Sequence, residues 1–238
     1  MKLDILAFGA HPDDVELGCG GTLIAEVQAG RTVGIADLTL GETGTRGTVE
    51  IRQQEAEAAA RIIGAAIRVN VGLPDGFIDQ SREQKLKVIE VIRRFRPDVV
   101  IGTARFDRHP DHGNAHTLIE EACFLSGLAK LETTFEGQAQ QAWRPKLVLH
   151  YVQDRFIEPD VVMDITAVMD QKMEAILAHS SQFYDPNSSE PDTYIASKGF
   201  LDNIPARARE HGRPCGFLYG EGFTCTRWIG VKSVATLW

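Results

Sequence analysis

The sequence predicts an α/β protein: a three-layer, doubly wound, mainly parallel sheet, Rossmann-like, of strand order 3-2-1-4-5 plus C-terminal additions. Three observations predict it. Short apolar runs alternate with helix-length segments through the first half of the chain. Glycine or proline follows several of those segments, as at Gly30, Gly64 and Pro97. No internal repeat or interdomain linker interrupts the pattern, so a single domain over residues 1–238 is expected.

Leu3–Ala10 is a buried-strand run, and Val15–Gln28 reads as a helix that stops before Gly30. Thr32–Thr39 is a second strand, and Thr48–Ile63 is an Ala-rich helix ended by Gly64. A short third strand covers Ile67–Val71. Ser81 and Gln84 have capping-box spacing ahead of Leu86, Val88, Ile89, Val91, Ile92 and Phe95, a broad apolar helical face. Val99–Ile101 is the fourth strand, and Gly113–Leu128 a further helix. Strands spaced by helices of this length pair in parallel through right-handed crossovers. Beyond them the pattern loosens. Thr133–Pro145 reads as a polar loop, Lys146–Val152 and Val161–Ile165 as strands, and Thr166–Ser180 as a helix. A Pro/Ser/Asp-rich loop at Tyr184–Thr193 has the character of a lid or contact loop. A last helix over Ser197–Glu210 precedes a Gly- and aromatic-rich tail, Phe217–Trp228.

Composition narrows the function classes. The chain is 43% hydrophobic, which suits a packed domain rather than disorder. With 25 Lys+Arg against 33 Asp+Glu the formal charge is −8, a poor match for nucleic acid or an anionic membrane. No apolar stretch reaches the ~18 residues of a transmembrane helix. Cys19, Cys123, Cys215 and Cys225 are scattered, and Met1-Lys2-Leu3-Asp4 leads straight into a strand without a cleavage pattern. A cytoplasmic protein with reduced thiols is expected.

The chemistry gathers in two clusters. Ala10-His11-Pro12-Asp13-Asp14 follows the first strand, and Arg108-His109-Pro110-Asp111-His112 follows the fourth. In a doubly wound sheet those strands are neighbours, and the crevice at their carboxyl ends is where such sheets bind ligands. Imidazole and carboxylate together suit a divalent transition metal, zinc first with ferrous iron possible, and two His plus one carboxylate leave an open catalytic position. The preferred ligands are His11, Asp14 and His112. Asp13 is left to accept the proton of an attacking water, and His109 to meet an oxyanion or protonate a leaving amine. Asp111 is placed to hold the His109 ring.

Each reading has a plainer rival. Asp13 or Asp14 could simply cap a helix. His116, one turn past His112, offers a rival H-x-x-x-H ligand pair, or it packs beneath the site. Gly18, Gly20 and Gly21 suggest a dinucleotide loop, but His11, Asp13 and Asp14 occupy the turn that pyrophosphate needs. Those glycines instead let the first helix press closely on the sheet or a neighbouring subunit. Arg52 and Arg108 are candidate partners for substrate carboxylates, against the plainer reading of solvated or salt-bridged side chains. Tyr194 and His179 are candidates for lid and supporting roles, against packing and capping.

Ala-His-Pro-Asp-Asp with Glu16, followed by His-Pro-Asp-His, resembles the zinc-dependent deacetylases of the PIG-L (LmbE-like) superfamily, which cleave N-acetyl groups from glucosamine conjugates. The resemblance runs along nearly the whole chain. It takes in Asp37-Leu38-Thr39, Gly41-Glu42 with Gly47-Thr48, Arg52 with Glu55, Ser181-Gln182-Phe183 and Tyr219-Gly220-Glu221-Gly222-Phe223. These stretches look most like the bacillithiol-pathway branch, which deacetylates N-acetylglucosaminyl malate. The resemblance implies a zinc amidohydrolase with His11, Asp14 and His112 on the metal, Asp13 as base and His109 on the oxyanion side. It also implies a homo-oligomer, trimer or hexamer, and the family's eukaryotic membrane-anchored members are disfavoured because no transmembrane segment is present. A deacetylase of another N-acetylglucosamine conjugate or chitooligosaccharide, and a non-catalytic metal- or sugar-binding protein, are the alternatives.

Overall fold

A computed structural model describes residues 1–236 of the chain. Its elements in order are β1 (Ile5–Gly9), α1 (Asp14–Gln28), β2 (Val33–Asp37), α2 (Val49–Ile63), β3 (Ile67–Asn70), α3 (Arg82–Phe95), β4 (Val99–Gly102) and α4 (Pro110–Leu125). They continue as β5 (Thr134–Phe135), β6 (Gln138–Ala139), β7 (Leu147–Tyr151), β8 (Val161–Asp164), α5 (Met169–Leu177), α6 (Lys198–Gly212) and β9 (Gly220–Thr224).

The main sheet runs β3-β2-β1-β4-β7-β9-β8, so the expected order holds through its first five positions with β7 as the fifth strand. These five pair in parallel, with Ile5 opposite both Val33 and Val99. β1 and β2 are buried at every residue, as strands covered on both faces must be. One face packs against α1, α2, α5 and α6 through Leu23, Ile24, Ile63, Ile176 and Ile204; the other packs against α3 and α4 through Val88, Ile92, Leu118 and Ile119. That is the three-layer arrangement.

The departures lie mainly after β4. The Gly- and aromatic-rich tail, given no strand in the sequence reading, contributes β9, which enters between β7 and β8 and runs antiparallel to both. Its sequence, Gly-Glu-Gly-Phe-Thr, carries little strand propensity, because its glycines serve close packing: a Cβ on Gly220 would lie 2.6 Å from Val162. The polar Thr133–Pro145 loop contains the β5–β6 hairpin. The helix expected at Thr166–Ser180 is a 3₁₀ turn over Thr166–Val168 followed by α5. α4 starts at Pro110 rather than Gly113, because proline is tolerated in a first helical turn and His109 caps it.

Two starts follow from local chemistry. Thr48 and Ser81 accept the Ile51 and Gln84 N–H groups at the heads of α2 and α3. The Gln84 side chain turns back to the Asp79 N–H at 3.0 Å, not to that of Ser81. On α1 the expectation of close approach is met at Gly18, where an added Cβ would sit 2.3 Å from the Tyr151 ring. The four cysteines are free. Among the described residues no helix is long and apolar enough to cross a membrane.

Candidate metal centre and catalytic site

The carboxyl ends of β1 and β4 bring the two clusters together across the switch point. His11, Asp13, Asp14, Arg52, His109 and His112 share a cavity of about 260 Å³. The Asp14 carboxylate lies between two imidazoles, with Oδ2 3.4 Å from His11 Nδ1 and Oδ1 3.1 Å from His112 Nε2. Donors held around an ion at ~2.0–2.2 Å in tetrahedral geometry stand roughly 3.3–3.6 Å apart; the His11 edge lies in that range and the His112 edge just below it, each on a different oxygen of the one carboxylate. The opposite nitrogen of each ring meets another carboxylate. His11 Nε2 is 3.0 Å from Asp75 Oδ1 and 3.3 Å from Asp111 Oδ2, and His112 Nδ1 is 2.6 Å from Asp107 Oδ2. Carboxylates behind ligating histidines fix the tautomer and ring orientation.

The electrostatics favour positive charge at these rings. Burial opposes protonation of His11, but hydrogen bonds to Asp111, Asp14 and Asp75 outweigh it and hold its pKa well above the usual value. Burial likewise opposes it at His112, yet the Asp14 charge and the Asp107 hydrogen bond raise that ring to about 9. A donor set that attracts protons this strongly is suited to a cation, and the residues fit a metal.

Asp13 occupies the N-cap position of α1, but its side chain makes no capping bond and its φ is 130°, outside the ordinary range for a non-glycine residue. The capping alternative therefore fails for Asp13. Asp14 instead accepts the His11 N–H at 2.9 Å. Strained backbone of this kind persists where the surroundings over-determine it, commonly at functional sites. Burial pushes the Asp13 carboxyl up; the Arg52 guanidinium pulls it back and Asp14 adds to the rise, leaving it at about 6. His109 stands edge-on to His11, 4.6 Å between ring centroids. Burial, then the neighbouring His11 and His112, hold its pKa below the usual histidine value.

Asp111 requires a correction. It does not hold the His109 ring through its carboxylate. His109 Nδ1 accepts the Asp111 backbone N–H at 3.2 Å, as an N-cap does, and the carboxylate turns toward His11 and the Gly76 N–H at 2.7 Å. The helix start claims the backbone and leaves the side chain for the other histidine.

Arg52 lines the cavity, with Nη2 donating to Pro12 O at 2.9 Å, Nη1 to Gly41 O at 3.1 Å, Asp13 3.6 Å away and Nε without a hydrogen-bond partner among the described residues. Arg108 is half-exposed at the rim, 3.5 Å from Asp154 and stacked over Tyr194. Tyr194 is exposed and donates to Asp154 at 3.1 Å, at the rim and not beside the histidines. His179 is fully buried, 3.5 Å from Glu16, which the Arg68 guanidinium also pairs. Burial works against the Glu16 charge, but Arg68 and His179 draw its pKa down to about 2. His116 does not join His112; its ring lies against His150. Within Tyr184–Thr193, Ser188 Oγ accepts from Arg46 at 2.7 Å.

Sequence reasoning passed over Asp75, Asp107 and Gln153, which donates to Asp14 at 2.6 Å. Asp107 stood two residues before His109 and could have been found from that spacing. Asp75 lies in a Leu-Pro-Asp-Gly turn after β3, a signal of a turn and nothing more.

Residues 6–123 match the family model described as PIG-L, GlcNAc-PI de-N-acetylase. A conserved protein of Thermus thermophilus superposes with a TM-score of 0.85 at 36% identity, covering 97% of this chain and 98% of that one. The chain belongs to the PIG-L family. Another PIG-L relative, the diacetylchitobiose deacetylase of Thermococcus kodakarensis, is 28% identical over 92% of this chain and 81% of its own length. The N,N'-diacetylchitobiose deacetylase structure from Pyrococcus horikoshii has a TM-score of 0.78 at 26% identity, covering 92% of this chain and 82% of that one. The family match spans residues 6–123, which include both clusters, and the structural likeness extends over nearly the whole chain.

Proposed function

We propose that this PIG-L protein is a metal-dependent N-deacetylase that hydrolyses the acetamide of a small N-acetylglucosamine conjugate and releases acetate. One observation carries the reading: a buried carboxylate, Asp13, is withheld from its helix cap beside a three-donor metal set. His11, Asp14 and His112 hold the ion, with zinc preferred and ferrous iron compatible. When bound, such an ion supplies Lewis acidity toward water and carbonyl oxygen. Asp13 accepts the proton of the attacking water, and the departing amine takes that proton up. Because His109 Nδ1 accepts a backbone N–H, the neutral ring carries its proton on Nε2, a donor for the developing oxyanion.

The aglycone sets the finer choice. The resemblance favours N-acetylglucosaminyl malate, and a relative named as a probable deacetylase of that compound in Bacillus subtilis is 27% identical over 76% of this chain. The chitobiose deacetylases match over more of the chain and support a neutral disaccharide instead. Arg108 lines the cavity mouth 3.5 Å from Asp154, a cation within reach of a substrate carboxylate, which favours the carboxylated substrate. A cytoplasmic site suits the four unpaired thiols. One catalytic domain over 1–238 and a trimeric or hexameric assembly complete the reading, and sedimentation velocity measures the assembly directly.

The decisive experiment measures acetate release from both conjugates by the metal-loaded protein and its Asp13→Asn variant. The expected result is a kcat loss of about 10²–10⁴-fold with metal content unchanged. Wild-type rates in a variant that still binds metal would remove Asp13 from the mechanism.

A further inference from the structure

His116 lies outside the catalytic reading. It points from α4 toward β7, where its ring centroid is 3.9 Å from that of His150, with the planes tilted 50°. Glu120, one turn further along α4, completes a triangle: its Oε2 is 3.7 Å from His116 Nε2 and 3.6 Å from His150 Nε2. His150 is 1% exposed, and its Nε2 has no hydrogen-bond partner among the described residues. Gly102 leaves room for this ring, since a Cβ there would lie 3.0 Å from His150 Nδ1.

Proton placement in this triad does not close with neutral rings. The two Nδ1 atoms are 2.9 Å apart, and Thr103 O is 3.0 Å from that of His150 and 3.4 Å from that of His116. If one Nδ1–H serves the other ring, the accepting ring carries its proton on Nε2, toward Glu120. The donating ring then aims a bare Nε2 lone pair at the same carboxylate. Exchanging the two roles exchanges the defect without removing it. A cation among the two Nε2 atoms and Oε2 removes it, and both Nδ1–H groups can then point at Thr103 O, the arrangement common behind metal-bound histidines.

We propose that His116, Glu120 and His150 form a second divalent-cation site, of the zinc class, that clamps α4 to β7. The two edges to Glu120 exceed those of a bound tetrahedral set by a few tenths of an ångström, and one donor atom from each of the three residues lies within 4.8 Å of the others. Thr103 links the clamp to the first site, because its hydroxyl donates to the His112 carbonyl at 2.8 Å. The clamp would therefore brace the helix that presents His112. It is independent of the deacetylase reading.

The test uses metal-stripped full-length protein and Zn²⁺ alone, with bound metal counted after equilibrium dialysis. Wild type should bind about two equivalents, and Glu120→Gln and His116→Asn about one each, with native circular dichroism. His11→Ala should also bind about one, and Zn²⁺ should raise its Tm. Combining His11→Ala with Glu120→Gln should abolish both the binding and the Tm shift. Glu120 is only partly buried, with 32% of its side chain exposed, so its variant reports on the metal with little risk to folding. One equivalent in wild type, lost with His11→Ala, overturns the proposal. So does a second equivalent that survives both Glu120→Gln and His116→Asn. Acetate release plays no part in these readouts, so failure of the catalytic reading would be seen separately.

Discussion

At the scale of single residues, the division of labour among carboxylates is set by which atom each neighbour claims. Asp14 presents one oxygen to each metal-facing imidazole, while Asp107 and Asp75 sit on the far sides of those rings. Replacing Asp107 with Asn changes what His112 Nδ1 meets without touching the ligand itself. We expect Asp107→Asn and Asp75→Asn each to weaken metal binding by about 10–100-fold, measured by chelator competition. Affinities equal to wild type would reduce both acids to packing. The ligand and base candidates were legible because His-Pro-Asp clusters after adjacent strands converge by topology. Asp75 was not, because its contact with His11 depends on how a turn folds back between strands that are two apart in the sheet. The carboxylate of Asp111 was misassigned for a similar reason: sequence spacing placed it near His109 but could not say that the backbone would make that contact.

At the scale of elements, α1, β2 and β3 are joined by a buried ion cluster. Arg68 on β3 meets Glu16 on α1 at 2.5 Å and Asp37 on β2 at 2.7 Å, all nearly sealed from solvent. Arg68→Met would leave two buried carboxylates without their cation, a loss of about 3–5 kcal/mol by analogy with broken buried pairs. The deficit should shrink as pH falls, because protonating Glu16 and Asp37 removes the uncompensated charge; thermal melts at several pH values test this. A deficit that does not change with pH would point to lost packing instead. Helix α1 offers a second test. Gly18→Ala forces a methyl into the Tyr151 ring and should cost about 1–3 kcal/mol. Gly20→Ala meets nothing closer than 3.8 Å and should be neutral or stabilising, since alanine is the better helix former. Similar Tm values for the two variants would contradict the close approach. The glycine spacing in α1 was readable as a packing feature, whereas Gly220 and Gly222 hid the strand that contains them.

At the scale of the whole molecule, fold order was legible where connections are local and failed where the chain returns from a distance. The βα alternation predicts each neighbour up to β7, but β9 inserts beside it only after α6 has crossed the sheet, and no local signal records that insertion. Net charge is a property of the same scale. The formal charge of −8 is a sum over the whole chain, while Arg108 lies at the rim of the cavity. For a carboxylated conjugate the two act with opposite sign and different reach. At about 0.01 M salt the Debye length is roughly 30 Å and the envelope repels the substrate; near 0.15 M it is about 8 Å and only the rim is felt. The expected kcat/KM for the carboxylated conjugate therefore rises over that interval and falls again toward 1 M, where contact pairs are screened as well. A neutral N-acetylglucosamine disaccharide should show neither limb. Arg108→Ala should keep the rise and lose most of the fall, because it removes a local partner and leaves the envelope in place. Initial rates for both substrates across this salt series measure each limb. Identical profiles for the two would exclude the rim arginine from recognition of an anionic aglycone.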